Sequence, residues 1–183
     1  MSPNRPAPLL ILGLGNVLCG DDGLGAVAVH LLLRRYEAPA GALVLDGGTL
    51  GLSLLPYLED AREAILVDAI RTDAPSGSFV RLEGEDVAPA VASRLSVHQV
   101  GVADLLDGAR WRERYPSRLI LLGLVPQSLE LGLRRSPAVE AGLPGLVDRV
   151  VAEARELGHA FVPRASDEAT ARGLGDLAHV YGL

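Results

Sequence analysis

The sequence predicts an α/β domain in three layers, a mostly parallel twisted sheet with helices on both faces. Three apolar runs, at residues 9–14, 64–70 and 119–125, are nearly free of polar side chains, as expected of strands buried on both faces. Segments with apolar residues at helical spacing fall between them, and that alternation builds parallel sheets. A length of 183 residues suits one core, since a chain of this size buries about 70% of the surface it exposes when unfolded.

The run 9–14, closed by Gly13 and Gly15, is the expected central strand. Leu24, Val27, Ala28, Leu31 and Leu32 then recur at helical spacing, and Arg34 and Arg35 sit where cations favour the helix dipole. A helix is therefore expected over residues 23–36. Residues 42–46 form a second short strand, ended by Gly47-Gly48-Thr49. Residues 50–58 read as helical, against the cost of Pro56, which removes a hydrogen bond from a helix interior. The run 64–70 is a buried strand with Asp68 near its end, and 78–82 alternates weakly, as an edge strand does. A short helix over 100–106 follows Ser96-Val97-His98-Gln99, and the last long buried strand stops before Pro126. Ser136 and Pro137 open the final helix as cap and first-turn residue. Leu143, Leu146, Val147, Val150, Val151 and Ala154 supply its buried face, and Gly158 ends it. Residues 1–162 thus make one domain, and 163–183 are expected to be a mobile or loosely docked tail.

A net charge of −6 argues against binding a phosphate backbone, which calls for a basic face. A protein or small-molecule partner fits better than nucleic acid. The single cysteine, Cys19, rules out an internal disulfide framework or a cysteine-cluster zinc site and fits a reducing cytosol. The first eight residues are polar and proline-rich, and the apolar stretch after them is too short and glycine-broken for a signal or a spanning helix. A cytoplasmic protein with no membrane segment is expected.

Ligands of open α/β sheets bind at the carboxyl ends of the strands, and this ranks the polar residues. Asp21 and Asp22 follow the first strand, Asp46 closes the second, Asp68 lies at the end of the third, and His98 precedes a helix. All five could converge on one rim. A dinucleotide site fails, because Gly13-Leu14-Gly15 is followed by Asn16-Val17-Leu18 and the third glycine is missing. Two carboxylates would also occupy the helix N-terminus that should receive pyrophosphate. No Gly-Lys-Ser or Gly-Lys-Thr of a P-loop occurs.

Asp21 is expected to cap the first helix. Asp22 cannot then be the cap, and adjacent carboxylates repel unless a cation or proton separates them. Asp68 is costly to bury unless hydrogen-bonded at the strand end or metal-bound. A histidine is more often a core or loop residue, but Ser96 and Gln99 make the surroundings of His98 polar. Imidazole with carboxylates suits nickel or zinc. His30 and His159 read as structural or surface residues, His179 receives no role, and Cys19 reads as inert. No Gly-x-Ser-x-Gly elbow is present. Asp22 and Asp68 could form a paired-carboxylate hydrolase, although the Asp-Thr-Gly and Asp-Ser-Gly loops of aspartic proteases are missing.

Gly13-Leu14-Gly15-Asn16, Asp21-Asp22-Gly23-Leu24-Gly25, Asp46-Gly47-Gly48-Thr49 with Gly51, Val67-Asp68-Ala69 and Ser96-x-His98-Gln99 occur in this order. Together, over residues 9–157, the chain resembles the hydrogenase maturation proteases, endopeptidases that finish the large subunit of nickel–iron hydrogenases. The resemblance implies a twisted five-stranded sheet between helices and a nickel-recognition site made by Asp22, Asp68 and His98, which are both the metal-binding and the catalytic residues. Many members carry glutamate where this chain has Asp22, one methylene shorter. The resemblance assigns Asp46, Gly47, Gly48 and Thr49 to shaping the substrate cleft, with Gly51 keeping the loop close.

It also implies that nickel arrives bound to the cysteines of the substrate, so that the protease adds ligands to open positions on it. A short C-terminal extension is then removed after a basic residue beside the last metal-binding cysteine motif. A site of oxygens and one nitrogen holds nickel less firmly than a thiolate cage, and so can inspect and release it. The implied enzyme is a monomer whose partner is the large-subunit precursor. Competing readings are a nickel-binding chaperone of the precursor that does not cut, and a nucleotide-binding enzyme disfavoured by its glycine pattern.

Overall fold

Strand β1 (Leu9–Leu14) is buried along its whole length, and the rest of the fold is arranged around it. The computed structural model describes residues 8–92 and 97–165, without the side chains of residues 92–100. After β1 come a 3-10 turn at Gly20–Gly23, helix α1 (Leu24–Arg35), the two-residue strand β2 (Tyr36–Glu37) and β3 (Ala42–Gly48). A second 3-10 turn, Gly51–Leu54, leads to α2 (Leu55–Glu59), β4 (Glu63–Ala69) and β5 (Phe79–Glu83). A third turn, Gly84–Asp86, precedes α3 (Val87–Ala92), α4 (Val97–Trp111), β6 (Arg118–Leu124), α5 (Pro137–Glu156) and β7 (Val162–Pro163).

The main sheet has the order β3-β1-β4-β6-β5. Its pairs are parallel except β5 with β6, so the expected edge strand is the antiparallel one. Strand alternation divides the core. Leu9, Ile11, Ile65, Val67, Ile120 and Leu122 face α1 and α5. Leu10, Leu12, Ala64, Leu66, Leu119 and Leu121 face the layer of α2, α3 and α4. Each of these leucines, isoleucines and valines contributes roughly 1.5–3 kcal/mol on burial, and a central strand with none exposed explains why its sequence shows no alternation. Asp68 has the parity of Ala64 and Leu66, which places it on the α4 side of the sheet.

The structure corrects several local expectations. The segment expected as one helix over 50–58 divides into the 3-10 turn and α2, and Pro56 falls in the first turn of α2. There its missing N–H costs nothing. The helix expected over 100–106 is α4, which begins at Val97 and runs for 15 residues. Helix α3 and the β2–β7 pair were not legible, being too short to show a period. The last helix begins as expected, with the Val139 N–H donating to Ser136 Oγ at 3.4 Å. Val162 and Pro163 pair antiparallel with β2. Beside them the Arg164 N–H donates to the Arg35 carbonyl at 2.8 Å. The rest of the expected tail, residues 166–183, lies outside the described residues. Among the described residues no helix is long and apolar enough to cross a membrane.

Candidate active site

The chain leaves β1 to build β3 on one side of it and then β4 on the other. The carboxyl ends of β1 and β4 therefore flank the point where the winding reverses, the place where open α/β sheets bind ligands. Asp22 follows β1 through the Gly20–Gly23 turn, which packs against β4, and Asp68 stands near the end of β4. Both are 2% exposed.

Gly15 borders both residues, the backbone of Asp22 and the side chain of Asp68. Its φ is +110°, and a Cβ there would run into the Asp22 carbonyl oxygen while lying 3.6 Å from Asp68 Oδ1. Only glycine takes this conformation without strain, so the turn folds tightly over the end of β1 with both aspartates bordering one residue. Asp22 Oδ2 accepts the Asn16 N–H at 2.8 Å. Asp22 Oδ1 is buried with no hydrogen-bond partner among the described residues. Asp68 Oδ1 accepts the Ala69 N–H at 2.7 Å. A buried carboxylate oxygen left without a partner costs about 1–3 kcal/mol or more. An oxygen-rich corner that carries this cost is chemically suited to receive a cation.

His98 is the second residue of α4, in its first turn rather than in a loop before it. Its side chain lies outside the described residues. The backbone of α4 meets the other rim loop closely, since a Cβ on Gly51 would lie 3.2 Å from Gly101 Cα. The start of α4 thus stands beside the segment that follows Asp46–Thr49, on the face of the sheet to which Asp68 belongs. Among the described residues no group of three or more His, Cys, Asp or Glu is close enough to hold a metal.

Asp21 does not cap α1. The residues flanking both the turn and the helix make no side-chain cap. Instead Asp21, 1% exposed, reaches across to the loop between β6 and α5. Its Oδ2 accepts from the Gln127 N–H at 2.7 Å, the Ser128 N–H at 3.3 Å and Ser136 Oγ at 2.8 Å, and its Oδ1 from the Ser136 N–H at 2.6 Å. Four donors outbid the single N–H a cap would satisfy. The same loop is tied to the first one again, by Gly20 N–H to the Gly132 carbonyl at 2.6 Å and Gly132 N–H to the Leu18 carbonyl at 2.9 Å.

Asp46, Gly47, Gly48 and Thr49 line an open cleft of about 240 Å³ together with Gly15, Asn16, Val17, Ala26 and Leu50. Asp46 Oδ1 accepts the Gly48 N–H at 3.0 Å and Oδ2 lies 3.0 Å from His30 Nε2. His30 is therefore partnered to the cleft wall. His159 pairs with Glu63 at 3.3 Å, away from the rim. Cys19 is a free thiol of intermediate exposure. Sequence reasoning missed Asn16 as the donor to Asp22, His30, and the 127–136 loop. Only Asn16 left a signal, as a polar residue directly after the strand-ending glycine.

A charged cluster far from this rim fastens the sheet edge. Arg81 on β5 binds Glu153 of α5 through two nitrogens, at 2.8 and 2.7 Å, and Glu83 at 2.7 Å. Arg118 donates to Glu83 at 2.8 Å. Hydrogen bonds from Arg81 and then Arg118 hold the Glu83 carboxyl below its ordinary range. Burial pushes the Tyr115 hydroxyl up.

The family model for hydrogenase maturation proteases matches residues 27–153. The hydrogenase 2 maturation protease of Escherichia coli K12 is 37% identical over 158 residues, covering 85% of this chain and 96% of that protein. The solved structure of the hydrogenase maturating endopeptidase HybD from E. coli aligns with a TM-score of 0.82 at 35% identity, covering 85% of this chain and 97% of that one. The nickel–iron hydrogenase maturation protease HybD from Thermococcus kodakarensis aligns with a TM-score of 0.65 at 28% identity, covering 80% and 98%.

Proposed function

The chain belongs to the hydrogenase maturation protease family, and from that premise we propose that it reads substrate-bound nickel through Asp22, Asp68 and His98. Its substrate is the large-subunit precursor of a nickel–iron hydrogenase, and the product is the same chain without its C-terminal extension. The observation that carries this reading is Asp22 Oδ1, buried and unpartnered among the described residues, on a residue whose backbone borders Gly15 as Asp68 Oδ1 does.

On this reading the nickel belongs to the substrate and brings its own cysteine ligands. Asp22 offers an oxygen with no partner among the described residues, and its second oxygen is fixed by the Asn16 N–H. Asp68 is oriented by the Ala69 N–H, and His98 adds the nitrogen that favours a transition metal over magnesium or calcium. Held there, the precursor presents its scissile peptide in the cleft beside Asp46–Thr49. A carboxylate takes a proton from the attacking water as it adds to the peptide carbonyl, and the proton passes to the departing amine. Positioning supplies much of the gain, because the metal fixes one end of the peptide against a preformed wall. The enzyme works as a monomer in the cytoplasm, a reducing compartment that suits a chain with one cysteine.

Intact mass spectrometry of the precursor with and without nickel tests the proposal. The loaded precursor should lose a C-terminal fragment and the metal-free one should stay whole. Asp22→Asn, Asp68→Asn and His98→Ala should each abolish clipping while leaving the far-UV spectrum of the fold unchanged. Cleavage that survives all three substitutions overturns the site. A stable complex with no mass change in either partner establishes the non-cutting chaperone instead.

A further inference from the structure

Asp46 contributes a half-buried carboxylate to the cleft wall, and both of its oxygens are engaged. Oδ1 accepts the Gly48 N–H, which sets the turn, and Oδ2 meets Nε2 of His30. Against a carboxylate, Nε2 has to carry the proton, so the imidazole is the donor. The Gly48 carbonyl in turn accepts the Gly15 N–H at 3.0 Å, and Gly15 is the residue that borders Asp22 and Asp68. His30 itself does not line the cleft. It stands on α1, the helix behind this wall, 16 residues from Asp46 in sequence.

We propose that His30 is a positioning residue that fixes the Asp46 carboxylate, and through it the Asp46–Gly48 turn, in the orientation that receives the precursor. The inference rests on the reading that this cleft binds the substrate. Without the imidazole, the Asp46 carboxylate loses the bond that fixes Oδ2 and gains freedom about its side-chain torsions, and the cleft wall loses its fixed shape. His30 touches no reacting atom, so the loss falls on binding rather than on the chemical step.

His30→Ala should raise KM for the nickel-loaded precursor about tenfold, the effect of one charge-assisted hydrogen bond, with kcat within about twofold. His30→Gln places an amide N–H the same number of bonds from the backbone and should recover KM to within about threefold. In an Asp46→Ala background, which leaves the imidazole no side chain to hold, His30→Ala should add no further loss. A second readout needs no substrate: the Gly48 amide proton, bonded to Asp46, should shift in the NMR spectrum of His30→Ala and return in His30→Gln. An unchanged KM, a loss confined to kcat, or a glutamine variant as poor as the alanine one overturns the role. A wild-type enzyme that fails to cut overturns the functional reading, and the Gly48 amide then decides the His30 contact alone.

Discussion

Replacing Asp21 by asparagine keeps its shape and removes its charge, and the structure says how much that should cost. Asparagine can present an oxygen at only one of the two carboxylate positions. Its better orientation keeps the oxygen where Oδ2 was, facing Gln127, Ser128 and the Ser136 hydroxyl. The amide NH2 then points at the Ser136 N–H, donor against donor, where a 2.6 Å bond had been. A hydrogen bond to a charged group contributes about 1.5–3 kcal/mol, and a buried N–H left without an acceptor costs a further 1–3 kcal/mol or so. The sum is on the order of 3–5 kcal/mol, a large part of the roughly 5–15 kcal/mol that holds a typical domain together. Urea unfolding should show a midpoint lowered by about 1.5–2 M with its slope unchanged. Ser136→Ala, which removes one of the four donors and a long cap bond, should cost only about 1–2 kcal/mol. An Asp21→Asn protein within about 1 kcal/mol of the parent would refute the clamp and return Asp21 to the modest value of a helix cap.

Gly15→Ala should destabilise the fold by about 1–3 kcal/mol from backbone strain alone and should lower clipping of loaded precursor further than that, because the new Cβ displaces the Asp22 carbonyl; activity equal to wild type would show that the turn is free to move. Glu83→Gln tests the edge cluster through pH. The folded-state pKa of Glu83 lies below its ordinary 4.5, so the unfolded chain binds the proton more readily, and the stabilisation is present above pH 4.5 and drains away as pH falls through the folded value. Its side chain is 37% exposed, which limits the contribution to about 0.5–1 kcal/mol. Unfolding free energies of wild type and Glu83→Gln should differ by that amount at neutral pH and converge as pH falls below the folded-state value; a gap that persists in acid assigns the effect to packing.

The apolar runs at β1, β4 and β6 were legible because a strand buried on both faces writes its burial into every residue, and α5 was legible from Ser136, Pro137 and its period. Helix α3 and the β2–β7 pair were not, since two to six residues span too little of a period to stand out. The same limit governs the rim. That Asp22, Asp46 and Asp68 would gather there followed from their positions at the ends of parallel strands. What Asp21 does could not follow, because a cap is a local pattern while its actual partners lie 106 to 115 residues away. The His30–Asp46 pair likewise joins a helix to a strand end only after both have packed on β1.

The sequence by itself determined which segments are buried, in what order strands and helices alternate, and which carboxylates stand at strand ends, because periodicity and burial are properties of neighbouring residues. Tertiary structure alone decided the strand order β3-β1-β4-β6-β5, which carboxylate became a clamp and which kept an oxygen without a partner among the described residues. Those outcomes depend on donors brought from distant loops, and a donor arriving across the fold leaves no trace in the residues beside its acceptor.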